Sequence, residues 1–92
     1  MIYKNICHTK QEISEIGFGC GGYWGYPVFS EKKAEELVQT AIDKGINFFD
    51  TGPNYSAGNA EQRLGSIIKS QRSRVLLGTK VGTRLSSSGK RI

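Results

Sequence analysis

The sequence predicts an α/β fold of parallel strands: the N-terminal part of a (β/α)8 TIM barrel, with a β-hairpin in front of a β-α-β-α-β run. Three observations predict it. Short apolar runs at 16–20, 46–49 and 75–77 read as buried strands. Two amphipathic segments with helical spacing separate those runs. The order strand, helix, strand, helix, strand then calls for parallel pairing through right-handed crossovers.

Taken in order, Met1 to Ile6 and Glu12 to Ile16 form two short strands about the polar turn His8 to Gln11, a hairpin that lids one end of the fold. Ile16-Gly17-Phe18-Gly19-Cys20 ends in glycines and feeds a loop, Gly21 to Pro27, where backbone lies close to something. Ser30 is a good N-cap, with Glu31 in the first turn. Ala34, Leu37, Val38, Ala41 and Ile42 then recur at helical spacing before Lys44 and a terminating Gly45. Ile46 to Phe49 is the second strand, with Asp50 at its C-terminal end and Thr51-Gly52-Pro53-Asn54 as turn chemistry. A second helix starts near Asn59, carries Glu61 in its first turn, shows Leu64, Ile67 and Ile68 on one face and ends near Lys69 or Ser70. Val75 to Leu77 is the third strand, and Ser86-Ser87-Ser88-Gly89 marks a loop or frayed tail. The whole of 1–92 is thus one partial barrel: hairpin and start of the first strand at 1–16, βαβαβ at 17–81, tail at 82–92.

Composition narrows the function classes. Ninety-two residues allow one small core, and a domain of this size buries only about 60–65% of its unfolded surface. The net charge of +5 could attract polyanions. Its only local concentrations, Arg72, Arg74 and Arg84 and then Lys90 and Arg91, lack an aromatic ladder, so no nucleic acid is expected. No apolar run approaches the roughly 20 residues that span a bilayer, and the N-terminus lacks a signal peptide's apolar region, so no membrane is expected either. Cys7 and Cys20 form no C-x-x-C pair and no metal spacing. They fit a reducing, cytoplasmic compartment, Cys7 as a buried small hydrophobe and Cys20 as a reactive thiol only if its loop is open. Two helices on one side of three strands leave the other sheet face bare. The remainder of a barrel, or self-association, is expected to cover it.

Sites in such barrels lie at the C-terminal ends of the strands. Asp50 and Lys80 both stand at such ends, and Tyr55 lies in the loop just after one. If the second and third strands are neighbours, Asp50 and Lys80 can pair, and an ammonium beside a tyrosine hydroxyl favours the phenolate, making the phenol a better acid for carbonyl reduction. Singly, each residue has a plainer reading: Asp50 as a turn former, Tyr55 as half-buried packing, Lys80 as a solvated lysine. Glu61 is either an acid favouring the helix dipole or a support for the site. Tyr23, Trp24 and Tyr26 either line a substrate mouth or are loop aromatics without that role. The G-x-G-x-x-G string within Gly17 to Gly22 is not a dinucleotide fingerprint, because the next helix begins near Glu31, too late for its N-terminus to cradle a pyrophosphate.

Gly45, Phe49-Asp50-Thr51, Tyr55, Glu61 and Leu64-Gly65 together resemble the N-terminal part of an aldo-keto reductase. The stretch Asn54-Tyr55-Ser56-Ala57-Gly58-Asn59-Ala60-Glu61 is similar to the potassium-channel β-subunit-like and bacterial branches of that family. The resemblance implies that Tyr55 is the general acid, that Lys80 tunes it and that Asp50 holds the lysine. It also implies NADPH as hydride donor, a small carbonyl compound as substrate, and Cys20, Gly21, Gly22 and Asp50 as cofactor neighbours. Cys20 stands where threonine is often found, which a backbone contact survives and a hydroxyl contact does not. The family's fourth catalytic residue, a histidine at the end of the following strand, has no counterpart here, since the only histidine, His8, belongs to the hairpin at the other end. The expectation is an N-terminal fragment of an NADPH-dependent oxidoreductase that reduces aldehydes or ketones to alcohols, inactive alone. The alternative is a non-enzymatic quarter-barrel module that self-associates or docks on a partner.

Overall fold

A computed structural model describes residues 1–81; the expected tail at 82–92 lies outside the described residues. Strand β1 (Tyr3–Asn5) pairs antiparallel with β2 (Glu12–Ser14), Lys4 opposite Ile13. Thr9 Oγ1 donates 2.7 Å to Ile6 O and closes the turn. Cys7 adopts a left-handed φ of 48° there and is exposed, which corrects its expected burial: a tight turn in a two-stranded ribbon has no interior to offer.

Strands β3 (Phe18–Gly19), β4 (Phe48–Asp50) and β5 (Leu76–Gly78) form a parallel sheet in that order, linked by helix α1 (Glu31–Asp43) and helix α2 (Asn59–Ile68). Phe49 lies opposite Phe18 and Leu77, and Asp50 opposite Gly19 and Gly78. The strands are shorter than the apolar runs because the turns claim their first residues. Ile46 N–H donates to Ala41 O at the end of α1, and Val75 N–H donates to Arg72 O in the 3-10 turns after α2. The Ser30 side chain caps α1 by accepting from Lys33 N–H at 3.2 Å, and Gly45 turns out of it at φ 97°.

The hairpin sits beneath the N-terminal end of β4. Asn47 is its anchor, accepting from Ser14 N–H at 2.8 Å and donating to Glu12 O at 2.9 Å, while Tyr3 OH donates to Gly45 O at 2.6 Å. The core lies between helices and sheet: Phe49, Val38, Leu64, Ile68 and Cys20 are fully buried, and Ala34 and Ala60 bring the backbones close. Burying Phe49 alone contributes about 1.5–3 kcal/mol.

Side chains alternate along a strand, so Phe48 lies on the face opposite Phe49, away from the helices. That face is not wholly bare. A Cβ at Gly17 would come within 2.9 Å of Phe48 Cδ2 and one at Gly78 within 2.9 Å of Phe48 Cζ, so the ring roofs both neighbouring strands where they carry no side chain.

The loop after β3 differs most from expectation. It contains a 3-10 turn, Gly22–Gly25. Trp24 joins the core rather than a mouth: its ring meets Phe18 edge-on at 5.8 Å and its Nε1 donates to Ala34 O at 3.3 Å. An indole between two amphipathic segments gains more by burial than by facing water. Tyr23 and Tyr26 remain exposed.

Candidate active site

The parallel ladder continues one residue past the strands and sets the floor of the site. Cys20 N–H donates to Asp50 O at 2.9 Å, and Thr51 N–H to Gly78 O at 2.8 Å. Asp50 therefore stands between the ends of β3 and β5, two residues from Lys80 in register. Lys80 Nζ donates to Asp50 Oδ1 at 3.2 Å and to Thr51 O at 2.7 Å, and lies 4.4 Å from the centre of the Tyr55 ring. The three residues singled out from strand-end positions thus converge.

Both members of the ion pair are about half exposed, 49% for Lys80 and 47% for Asp50, so water screens it and it holds geometry more than it stabilises the fold. Tyr55 and then Asp50 raise the Lys80 ammonium above its ordinary range against a partial desolvation effect. The well-aligned hydrogen bonds of Nζ go to Asp50 and Thr51, so Tyr55 acts on it as a close electron-rich neighbour presenting its ring. Lys80 is charged at neutral pH in either case.

Tyr55 occupies a slot between two glycines. A Cβ at Gly21 would lie 3.1 Å from its Cδ2, and one at Gly52 would lie 3.1 Å from its Cδ1. Glu61 connects α2 to the same place, because its Oε2 accepts a hydrogen bond from Thr79 Oγ1, directly before Lys80. Glu61 is thus a first-turn acid that also bonds the residue before Lys80.

The residues expected to neighbour a cofactor divide. Cys20 offers no accessible side chain: it is fully buried, and burial first, then the Asp50 carboxylate, push its thiol up to about 12. A reactive thiol is thereby excluded, since the thiolate is the nucleophile. Gly21 faces Tyr55. At Gly19 and Gly22 a Cβ would meet nothing within 4 Å, so open space lies along the end of β3 beside Asp50, where a flat ring could approach backbone. The residues present fit the nicotinamide end of a dinucleotide in this respect.

Ser56, Asn59 and Arg63 carry contacts that sequence reasoning missed. Ser56 Oγ donates to Gly22 O at 2.6 Å, Asn59 Nδ2 donates to Gly25 O at 2.6 Å, and Arg63 Nη1 donates to Trp24 O. The one available signal was Arg63 itself, which follows Glu61 and Gln62 on a face shared with Ala60 and Leu64; its side chain is only 2% exposed and pairs with Glu31 at 2.8 Å. Among the described residues no helix is long and apolar enough to cross a membrane, and no three His, Cys, Asp or Glu cluster as metal ligands.

Residues 15–91 match the family model of the Aldo/keto reductase family. The chain is 38% identical over 86 residues to the aldo-keto reductase YhdN of Bacillus subtilis, covering 87% of this chain and 25% of that protein. An aldo-keto reductase of Bacillus halodurans, solved in its holo form, superposes with a TM-score of 0.79 at 33% identity over 98% of this chain and 28% of its own. A structure from Pseudomonas aeruginosa assigned to the same class gives 0.83 at 29% identity, over 99% of this chain and 34% of its own. The chain thus spans about a quarter to a third of the length of these relatives. With a parallel sheet of barrel type, a strand-end site and a family match over most of its residues, the chain belongs to the aldo/keto reductase family.

Proposed function

We propose that this chain carries the proton-donating side of an NADPH-dependent reduction of small aldehydes or ketones to alcohols, in a cytoplasmic enzyme whose remaining strands lie beyond this segment. The observation that carries the reading is the placement of Lys80 Nζ, hydrogen-bonded to Asp50 and 4.4 Å from the Tyr55 ring centre. NADPH, when bound, supplies the hydride to the carbonyl carbon. Tyr55 O–H gives its proton to the carbonyl oxygen, which becomes the alcohol hydroxyl. The Lys80 ammonium stabilises the phenolate left on Tyr55, and Asp50 keeps that ammonium in place. Gly21 and Gly22 admit the cofactor by backbone alone, Asp50 is its polar neighbour at the end of β4, and Cys20 contributes only main chain. The rest of the barrel supplies the remaining contacts, so the 92-residue chain alone is inactive.

The test is complementation. The chain is joined to the later strands of a related barrel, and NADPH oxidation is followed with a small aldehyde. Turnover is expected in the chimera, and Tyr55→Phe is expected to abolish it while leaving the Kd for NADPH nearly unchanged, because only the proton donor is removed. A folded chimera that binds NADPH and turns over equally well with Tyr55→Phe would sink the assignment.

A further inference from the structure

The two walls of the Tyr55 slot are not held in the same way. Gly52 belongs to the tyrosine's own turn, since Tyr55 N–H donates to Gly52 O at 3.1 Å, so that wall travels with the ring. Gly21 belongs to the separate segment after β3, next to the 3-10 turn Gly22–Gly25. That turn is gripped by three side chains from the segment just after Tyr55. Ser56, Asn59 and Arg63 each donate to one of its carbonyls, on Gly22, Gly25 and Trp24, across sequence separations of 34, 34 and 39 residues.

Ser56 is nearest the slot and sits under strain. It adopts φ 53°, ψ 44°, followed by Ala57 at φ 56°, ψ 33°, and a non-glycine residue in this region costs roughly 1–2 kcal/mol. The side chain is nevertheless buried, and its Oγ bonds the carbonyl adjoining Gly21. Gly25 complements it from the other side: a Cβ there would lie 2.6 Å from Ser56 Cβ, so the turn can approach only without a side chain at that position.

We propose that Ser56 is a positioning residue for Tyr55: its hydroxyl latches the Gly22–Gly25 turn, and the latched turn holds Gly21 as the outer wall that fixes the phenol ring over Lys80. The significance of that positioning for catalysis rests on the reading of Tyr55 as the proton donor; the latch itself does not. Loss of the hydroxyl is expected to free one wall and leave the other.

The experiment uses the 92-residue chain without cofactor or substrate, so its outcome is independent of the assigned chemistry. Proton–proton cross-peaks from the Tyr55 ring to Gly21 Hα and to Gly52 Hα are recorded for the parent chain, for Ser56→Ala and for Ser56→Gly. The second variant removes the hydroxyl and the backbone strain together, so it folds even where the first does not. Loss of the Gly21 cross-peaks with retention of the Gly52 cross-peaks, and faster flipping of the Tyr55 ring, is the expected result. Retention of both sets would overturn the proposal, because the turn would then hold its place without the latch. Equal loss of both would also overturn it, since it would mark general loosening instead of release of one wall.

Discussion

Burial pushes the Cys20 thiol up to about 12 from 9.0, with Asp50 adding to the effect, and this has a consequence for stability against pH. An unfolded chain loses that proton from pH 9.0 upward while the folded chain keeps it to about 12. In that window the unfolded state binds fewer protons, so stability falls as pH rises, with a slope near 1.4 kcal/mol per pH unit for one group, and nothing is lost below it. Urea denaturation of the parent chain and of Cys20→Ala across the window is expected to show the extra slope only in the parent. At neutral pH a thiol reagent is expected to modify exposed Cys7 at once and Cys20 only on unfolding; immediate modification of both would contradict the burial. Thr51 presents the opposite case, a buried side-chain hydroxyl with no partner among the described residues. Such a group costs about 1–3 kcal/mol in desolvation, so the near-isosteric Thr51→Val is expected to raise the midpoint of urea unfolding. A lowered midpoint would mean that the hydroxyl is bonded in solution.

Helices and strands here are short, and much of the specificity lies in the turns between them. The segment from Tyr55 to Gly58 carries two consecutive non-glycine residues in the left-handed region. Ser56 has a side-chain hydrogen bond to offset its strain, whereas exposed Ala57 has no side-chain polar group to make one. Ala57→Gly relieves roughly 1–2 kcal/mol of strain and forfeits about 0.5–1 kcal/mol of unfolded-state entropy, for a net gain of about 0–1.5 kcal/mol. A rise in denaturation midpoint is expected, and a fall would show that the strain is not stored at that position. The helices themselves were legible from Ser30, Glu31, Glu61 and the apolar spacing, because capping and amphipathicity are local properties. The contacts of Arg63 were not legible: on sequence it is a helical cation, and only its packing against the Trp24 carbonyl and Glu31 makes it a buried clamp.

At the scale of the described residues together, the weak point is the sheet face away from the helices and the edge at β5, which has no neighbouring strand among them. Phe48 roofs Gly17 and Gly78 but is only half-buried, and Leu77 is 38% exposed at the edge. Addition of the later strands of a related barrel as a separate polypeptide is expected to raise the unfolding midpoint and to quench binding of a hydrophobic dye, because those strands cover apolar surface at about 25 cal/mol per Å². An unchanged midpoint would mean that this sheet does not need the rest of a barrel to complete its core. The order of strands and helices, and the placing of Asp50, Tyr55 and Lys80 near strand ends, were determined by the sequence itself, because apolar runs, caps and glycine turns act through neighbours along the chain. Tertiary structure alone decided that Trp24 belongs to the core, that Cys20 hides its thiol, that Glu61 reaches Thr79, and that Ser56, Asn59 and Arg63 grip a turn some thirty-odd residues away. Those outcomes depend on which surfaces meet once the strands align, and a hydroxyl, an amide or a guanidinium carries no local mark of the distant carbonyl it will find.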